Sequence, residues 1–475
     1  MLVLALESST SSAKALLYDP EKGVVRTESC HYPPEFCKDG VTGTDEVYRL
    51  TMEMGRRVAA GEDVAAIALS CVWHSVAICD SGMRPLGNTY SWNFMKPSGM
   101  SERARQDTAL ADRLYRSTGC MPHVTYPRES LRYLRANGLD LRDKMLPSQG
   151  GYNFYQMTGE FLEALTILCG MGLVDVNTTQ FDDFALEYAG VRRDQFGATA
   201  TYRDARPLNA RAAALLGVSP GIPVVPAHSD GALNQIANCA AVVGRMTFSV
   251  GTSGAIRLTT DRPVLPEGHQ LWSYFGVTDW MSGAAVSGAC NCIDWFREKF
   301  MGGRMSFAEL DLGEELPGRM PVFLPFLFGE RNPGWNDGRM GGFVDIRPEH
   351  TALEMYRALQ MGILFNIYQC YEVLTQNVGV PQEIYVSGGI LNSRRWTQMA
   401  ADIFGTRMLC VKNLNASCAG AAVLAMHAAG VMDDVRAYTR DIEDARVVAP
   451  RAEYTERYRK LYERYLWYYD RTSHS

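Results

Sequence analysis

Several absences narrow the possibilities before any motif is considered. The chain has no run of five or six basic residues, and its 47 Lys and Arg against 53 Asp and Glu give a formal net charge of −6. A nucleic-acid footprint needs a concentrated positive patch, so a nucleic-acid partner is not expected. No stretch approaches the 18 uncharged apolar residues of a membrane helix, which argues against a membrane partner as well. The start, MLVLALESSTSS, carries no basic leader and reads as a buried first strand rather than a signal peptide. Twelve cysteines are scattered without a CxxC pair, the nearest two being Cys290 and Cys292. They are expected as small core residues in a reducing, cytoplasmic compartment. A metal site on Cys290, Cys292 and a distant His would need four converging ligands.

What is present is an ordinary globular composition, 47% hydrophobic and 21% charged, spread over 475 residues. That length exceeds one core of about 100 to 200 residues, and two large domains, 1–243 and 244–475, divide it best. In the first, β-rich runs at 3–6, 15–18, 64–69 and 76–79 surround a helical run at 45–60. Helical periodicity then dominates at 100–115, 128–137 and 149–158, as in a helical layer or insertion. After Gly244 the pattern restarts with strands, a long helix at 352–378, a strand at 383–387, a helix at 391–404, a strand at 408–411 and a helix at 416–429. The tail at 452–470 puts Tyr454, Tyr458, Leu461, Tyr465 and Tyr468 on one helical face, suited to docking on the body or, alternatively, to a homodimer contact. The class is α/β.

One device occurs twice. Residues 4–19, LALESSTSSAKALLYD, and 248–260, FSVGTSGAIRLTT, are each a strand, a tight turn of Gly, Ser and Thr, and a second strand. Such a turn presents backbone N–H groups and hydroxyls in a small concave nest that suits polyphosphate oxygens. Two of them facing one another imply a nucleotide cleft.

Four further segments carry chemistry, each with a plainer alternative. Asp230, in PAHSDGALNQ at a strand's C-terminal end, either caps the helix 231–241 or accepts a proton from an attacking hydroxyl. Gly388 and Gly389 either form a simple βα turn or let a ring or phosphate approach the backbone. Trp73 and His74, with Trp92-Asn93 nearby, suit a polyol that stacks on a ring and bonds to polar tips, while His74 alone reads equally as a core histidine. The segment FLFGERNPGWN at 326–336 is dense in turn residues, and the simplest account is a surface loop braced by a Glu–Arg pair.

Taken in order, these segments resemble the FGGY family of carbohydrate kinases over nearly the whole chain, its gluconate- and xylulose-kinase branches most of all. LESSTSSAK resembles the first phosphate hairpin, SVGTSGA the second, VWHS the substrate strand, PVVPAHSDGALNQ the strand and turn with the catalytic aspartate, LPFLFGERNPGW the GER-x-P loop, and SGGILNSRRWTQMAADIFG the adenosine segment. The resemblance implies two ribonuclease-H-like domains, of the kind shared by actin, hexokinase and Hsp70, closing on ATP and a sugar. It implies Asp230 as the catalytic base, Glu7 and Asp230 beside Mg2+, and Ser11, Ser12, Lys14, Gly251, Thr252 and Ser253 along the phosphates. Gly388, Gly389 and Asn392 are implied at the adenosine, and Trp73, His74, Asn93 and Asp230 at the sugar.

Departures from the family pattern are specific. Glu7 replaces Asp, Ser9 replaces a glycine, Phe94 and Lys96 replace an Asp and an Arg, Asp345 and Met361 replace Gly and Glu, and Asn415 replaces Glu. The expected function is ATP-dependent phosphorylation of a sugar or sugar acid. A catalytically weakened sensor of sugar or nucleotide is the alternative, and an actin- or Hsp70-like ATPase a weaker third. A sugar acid needs a cation for its carboxylate, with Lys96, Arg128 and Arg331 as candidates.

Overall fold

A computed structural model describes residues 1–304, 306–312, 320–411, 415–439 and 445–472. Two mixed sheets repeat one topology. The first runs Arg206–Pro207, Pro223–Ser229, Val64–Cys71, Leu2–Ser8, Ser12–Asp19, Gly23–His31. Leu2–Ser8 pairs antiparallel with Ser12–Asp19 on one side and parallel with Val64–Cys71 on the other. The second runs Trp272–Phe275, Trp280–Val286, Gly254–Thr260, Arg245–Val250, Glu383–Gly388, Met408–Cys410, Arg446–Val448. Here Arg245–Val250 likewise pairs antiparallel with the next strand and parallel with Glu383–Gly388. In both sheets the hairpin strand is central and almost wholly buried, which explains its near-continuous apolar sequence. Among the described residues no helix is long and apolar enough to cross a membrane.

Local chemistry sets where the helices begin and end. The long helix Ala352–Val378 starts in a capping box between Thr351 and Glu354 and buries Tyr356, Leu359, Ile363, Ile367, Cys370 and Leu374. The periodicity at 100–115 resolves into two helices, Ser98–Gln106 and Thr108–Thr118, because Asp107 is extended and its carboxylate accepts the Leu110 N–H as the second helix's N-cap. The expected helix at 391–404 begins later, at Arg394, after a 3-10 turn over Gly389–Asn392 and a Ser393 cap. In the terminal helix Ala452–Thr472, Tyr458, Tyr462 and Tyr465 are buried in the second core.

One helix crosses the expected division. Ala416–Ala428 lies late in the chain, yet Cys418, Ala421, Ala422, Val423, Leu424, Ala425 and Met426 join the first sheet's core. Its composition, mostly Ala, Gly and Cys, permits unusually close packing on the helix Asp230–Ala237. At Gly420 an added Cβ would lie 2.1 Å from the Leu233 carbonyl oxygen. Alanine normally favours a helix by about 1 kcal/mol over glycine. Here backbone stands in its way, so Gly420→Ala should destabilise the protein by about 1–3 kcal/mol, the range for overpacking. Denaturant titration against the wild type checks the sign.

Candidate active site

The strands deliver their C-terminal ends to one place, as open α/β sheets do. A cavity of about 260 Å³ is lined by Thr10 of the first turn, Ser253 of the second, Trp73, His74, Trp92 and Asp230 from the first half, and Arg257, Trp272, Tyr274 and Arg331 from the second. The volume lies just under the range of about 300–1,000 Å³ usual for small-molecule sites, and suits one compact ligand.

Asp230 is the first residue of its helix. The capping role falls to Ser229, whose hydroxyl accepts the Ala232 N–H, so the helix does not need the Asp230 side chain as its cap. Asp230 Oδ1 accepts the N–H of Gly231 at 2.7 Å, and among the described residues Oδ2 has no hydrogen-bond partner. Burial, then the nearby charge of Glu7, pushes the Asp230 pKa up to about 6, against a smaller opposing pull from Arg257 and Lys14.

Glu7 is buried and heavily engaged. It receives the Lys14 ammonium at 3.0 Å, the Ser417 hydroxyl at 2.5 Å and the Cys418 thiol at 3.4 Å, the last two from the first turn of the crossing helix. Burial works against the Lys14 charge, but the Glu7 ion pair and hydrogen bond outweigh it and hold the Lys14 pKa above its ordinary value. Among the described residues no three His, Cys, Asp or Glu side chains gather as a metal cluster, Cys290 and Cys292 included.

The two turns differ. In the first, the Ser9 N–H and hydroxyl both donate to the Ser12 carbonyl, while the Ser12 N–H donates back to the Ser9 hydroxyl at 3.1 Å. Ser9 therefore fills a glycine position without left-handed backbone, and Ser12 is buried while Ser11 remains exposed. In the second, Thr252 and Ser253 are exposed, and a Cβ on Gly251 would meet nothing nearer than 4.0 Å. Gly388 sits beside this turn, paired with Val250; its φ of +92° and a Cβ position 2.5 Å from the Val250 oxygen both demand glycine. Gly389 follows against Cys290, and Asn392 is exposed at the end of the 3-10 turn.

The opposite wall is aromatic. Trp73 stacks on His74, with ring centres 5.7 Å apart, and meets Tyr274 edge-on at 4.9 Å. Its indole N–H is satisfied by the Thr166 carbonyl, which fixes the ring. His74 Nδ1 lies 2.6 Å from the Gly170 carbonyl, and burial pushes its pKa down to about 3, so it is neutral and partly a core group. Asn93 does not line the cavity: its Oδ1 is buried without a partner, and Trp92 takes the wall, donating its N–H to the Thr10 hydroxyl at 3.0 Å. Phe94, packed between Tyr90 and Tyr133, is core.

Of the three candidate cations, only Arg331 reaches the cavity. Arg128 is fully buried and bonded to Glu129, Thr118, Cys120 and Gly172, and Lys96 is exposed elsewhere. Arg331 does not brace Glu330, because both oxygens of that carboxylate are taken by Arg339 and Tyr469. Arg257 was not singled out from the sequence, although it is the one charge in the buried strand GAIRLTT. Among the described residues the buried Nε atoms of Arg257 and Arg331 have no acceptor, while Arg257 Nη1 donates to the Ser249 hydroxyl at 3.2 Å. Two guanidinium groups in a cavity wall favour an anionic ligand.

The family model for the N-terminal domain of the FGGY family of carbohydrate kinases matches residues 2–237, and that for the C-terminal domain matches 246–429. The chain is 26% identical to the gluconokinase of Bacillus licheniformis over 486 aligned residues, covering 97% of this chain and 94% of that protein. It is 24% identical to the xylulose kinase of Lactococcus lactis over 500 aligned residues, covering 99% and 97%. The crystal structure of gluconate kinase from Lactobacillus acidophilus superposes with a TM-score of 0.92 at 24% identity, over 100% of this chain and 99% of that one.

The raised Asp230 pKa has a stability consequence. A carboxyl held at about 6 against an ordinary 3.8 binds its proton more tightly when folded, so its contribution is present below pH 3.8 and lost as pH rises through 6. Asp230→Asn should therefore raise the melting temperature near pH 8, by about 2–4 °C per kcal/mol released, and leave it near wild type at pH 3.5. Melting curves across pH read this directly.

Proposed function

The chain belongs to the FGGY family of carbohydrate kinases, and on that premise we propose that it transfers the γ-phosphoryl group of ATP to a hydroxyl of a sugar acid, with Asp230 as general base. The observation that carries this reading is the position of Asp230. A carboxylate with one free oxygen faces a cavity bounded by a hydroxyl-rich turn on one side and an aromatic wall on the other.

The acceptor's C–H face stacks against Trp73 and its neighbours, and one hydroxyl reaches Asp230 Oδ2. That oxygen accepts the hydroxyl proton as the new O–P bond forms and the bond to the β-phosphate's bridging oxygen breaks, releasing ADP. Gly251, Thr252 and Ser253 hold the phosphates from the second turn, with Ser11, Ser12 and Lys14 on the other side. Gly388, Gly389 and Asn392 border the adenosine. Cleft walls drawn from both halves exclude water from the transferring group.

Magnesium is usually bound by one or two carboxylates together with phosphate oxygens and water. Asp230, buried beside the charge of Glu7, would hold such an ion through a bound water, which leaves Oδ2 to the acceptor hydroxyl. Glu7, already holding three donors, fits as support behind it. When bound, the ion supplies positive charge to the phosphate oxygens.

The sugar acid is preferred over a neutral ketose because two guanidinium groups, those of Arg257 and Arg331, line the cavity. A carboxylate satisfies both, whereas a ketose offers no charge in return.

A coupled assay over sugar acids, ketoses and polyols tests the reading. Asp230→Asn should lower kcat by about 10²–10⁴-fold, the usual worth of a general base. Turnover near wild type removes Asp230 from the mechanism. With the base titrating at about 6, kcat/KM should rise with pH through that value and level off above it. Arg257→Gln and Arg331→Gln should each raise KM for gluconate about 10- to 100-fold, the worth of a hydrogen bond to a charged group, and spare xylulose. Equal losses on both sugars refute the sugar-acid preference.

A further inference from the structure

We infer that the C-terminal helix is part of acceptor recognition, with Glu330, Arg339 and Tyr469 acting as positioning residues that aim Arg331 into the cavity. The inference rests on the proposed contact between Arg331 and the acceptor's anionic end.

Glu330 and Arg331 are chain neighbours of opposite charge, and in an open loop the carboxylate would compete for the guanidinium. The structure prevents this by using up the carboxylate. Glu330 Oε1 accepts the Tyr469 hydroxyl at 2.6 Å, and Oε2 accepts Arg339 Nη1 at 2.9 Å. Arg339 is in turn fixed by the Tyr469 carbonyl at 2.5 Å and lies over the rings of Phe326 and Tyr469, 4.3 and 4.0 Å from their centres. Both members of the Glu330–Arg339 pair are buried, so solvent screening does not loosen it. The residue after Arg331 is anchored as firmly. Asn332 is fully buried, its Oδ1 accepting the Ala285 N–H at 2.9 Å and its Nδ2 donating to the Gln270 carbonyl at 2.6 Å.

Arg331 thus sits between two fixed residues, and among the described residues its guanidinium has no carboxylate partner. The only free positive group on this loop is left for the cavity. Tyr469, in the last turn of the Ala452–Thr472 helix, supplies the hydroxyl that keeps it so.

Arg339→Ala would leave a buried carboxylate unpaired and risks unfolding the protein, so the test is Tyr469→Phe, which removes one oxygen and keeps the ring. KM for gluconate should rise about 3- to 10-fold, as expected for one hydrogen bond to a charged group, with kcat within about twofold and KM for ATP unchanged. Calorimetric binding of gluconate should weaken by the same factor, and KM for xylulose should stay put. A wild-type gluconate KM in Tyr469→Phe, where Arg331→Gln is impaired, overturns the positioning role alone. An equal rise for xylulose means general loosening and also overturns it. If Arg331→Gln itself binds gluconate as the wild type does, the acceptor reading fails and this inference falls with it.

Discussion

The crossing helix Ala416–Ala428 packs against Asp230–Ala237 at backbone distance, and the cleft depends on that contact. A helix encoded in the second half completes the core beneath the first sheet, so neither half is a self-contained unit. Its first turn also ties Ser417 and Cys418 to Glu7 at the end of the first strand. The helix packs its apolar face on the first sheet, while the second sheet pairs the strand Met408–Cys410 with the strand leading to Gly388. Small residues make this possible, and the sequence shows them as a run of Ala, Cys and Gly.

Electrostatics in the cavity follow from that packing. Glu7 is committed to Lys14 and to the crossing helix, which leaves Asp230 as the acidic group with an open oxygen. Burial, and after it the neighbouring Glu7 carboxylate, holds the Asp230 pKa at about 6, near the pH at which a proton is taken and returned most readily. Arg257, whose charge pulls against the raised Asp230 pKa, and Arg331 bring opposing positive charge to the cavity.

Much of this was legible in the sequence because it is local. Each hairpin, the strand ending at Asp230 and the SGG turn are continuous segments whose composition states their geometry. What stayed hidden depends on residues far apart in the chain. Trp272 and Tyr274 read as an ordinary buried strand until the sheets face one another. Arg257 signals itself only as a lone charge among apolar neighbours. The Glu330–Arg331 pairing failed as an expectation because the real partners, Arg339 and Tyr469, come from elsewhere. Asn93 lost its place to Trp92, a shift of one residue in a turn that neither composition nor periodicity resolves.

Ser9 gives the two turns different internal bonding. By closing its own turn with three internal hydrogen bonds, it makes the first hairpin complete without a guest. The second turn is held too, by the Gly251 N–H donating to the Ser253 carbonyl at 2.9 Å and by the Cys290 and Asn291 N–H groups donating to the Gly251 and Thr252 carbonyls, but it leaves the Thr252 and Ser253 side chains exposed. Where both turns meet a triphosphate, as proposed above, each presents a backbone already held in place, and the two differ in the hydroxyls they expose, Ser12 being buried on one side and Thr252 and Ser253 exposed on the other.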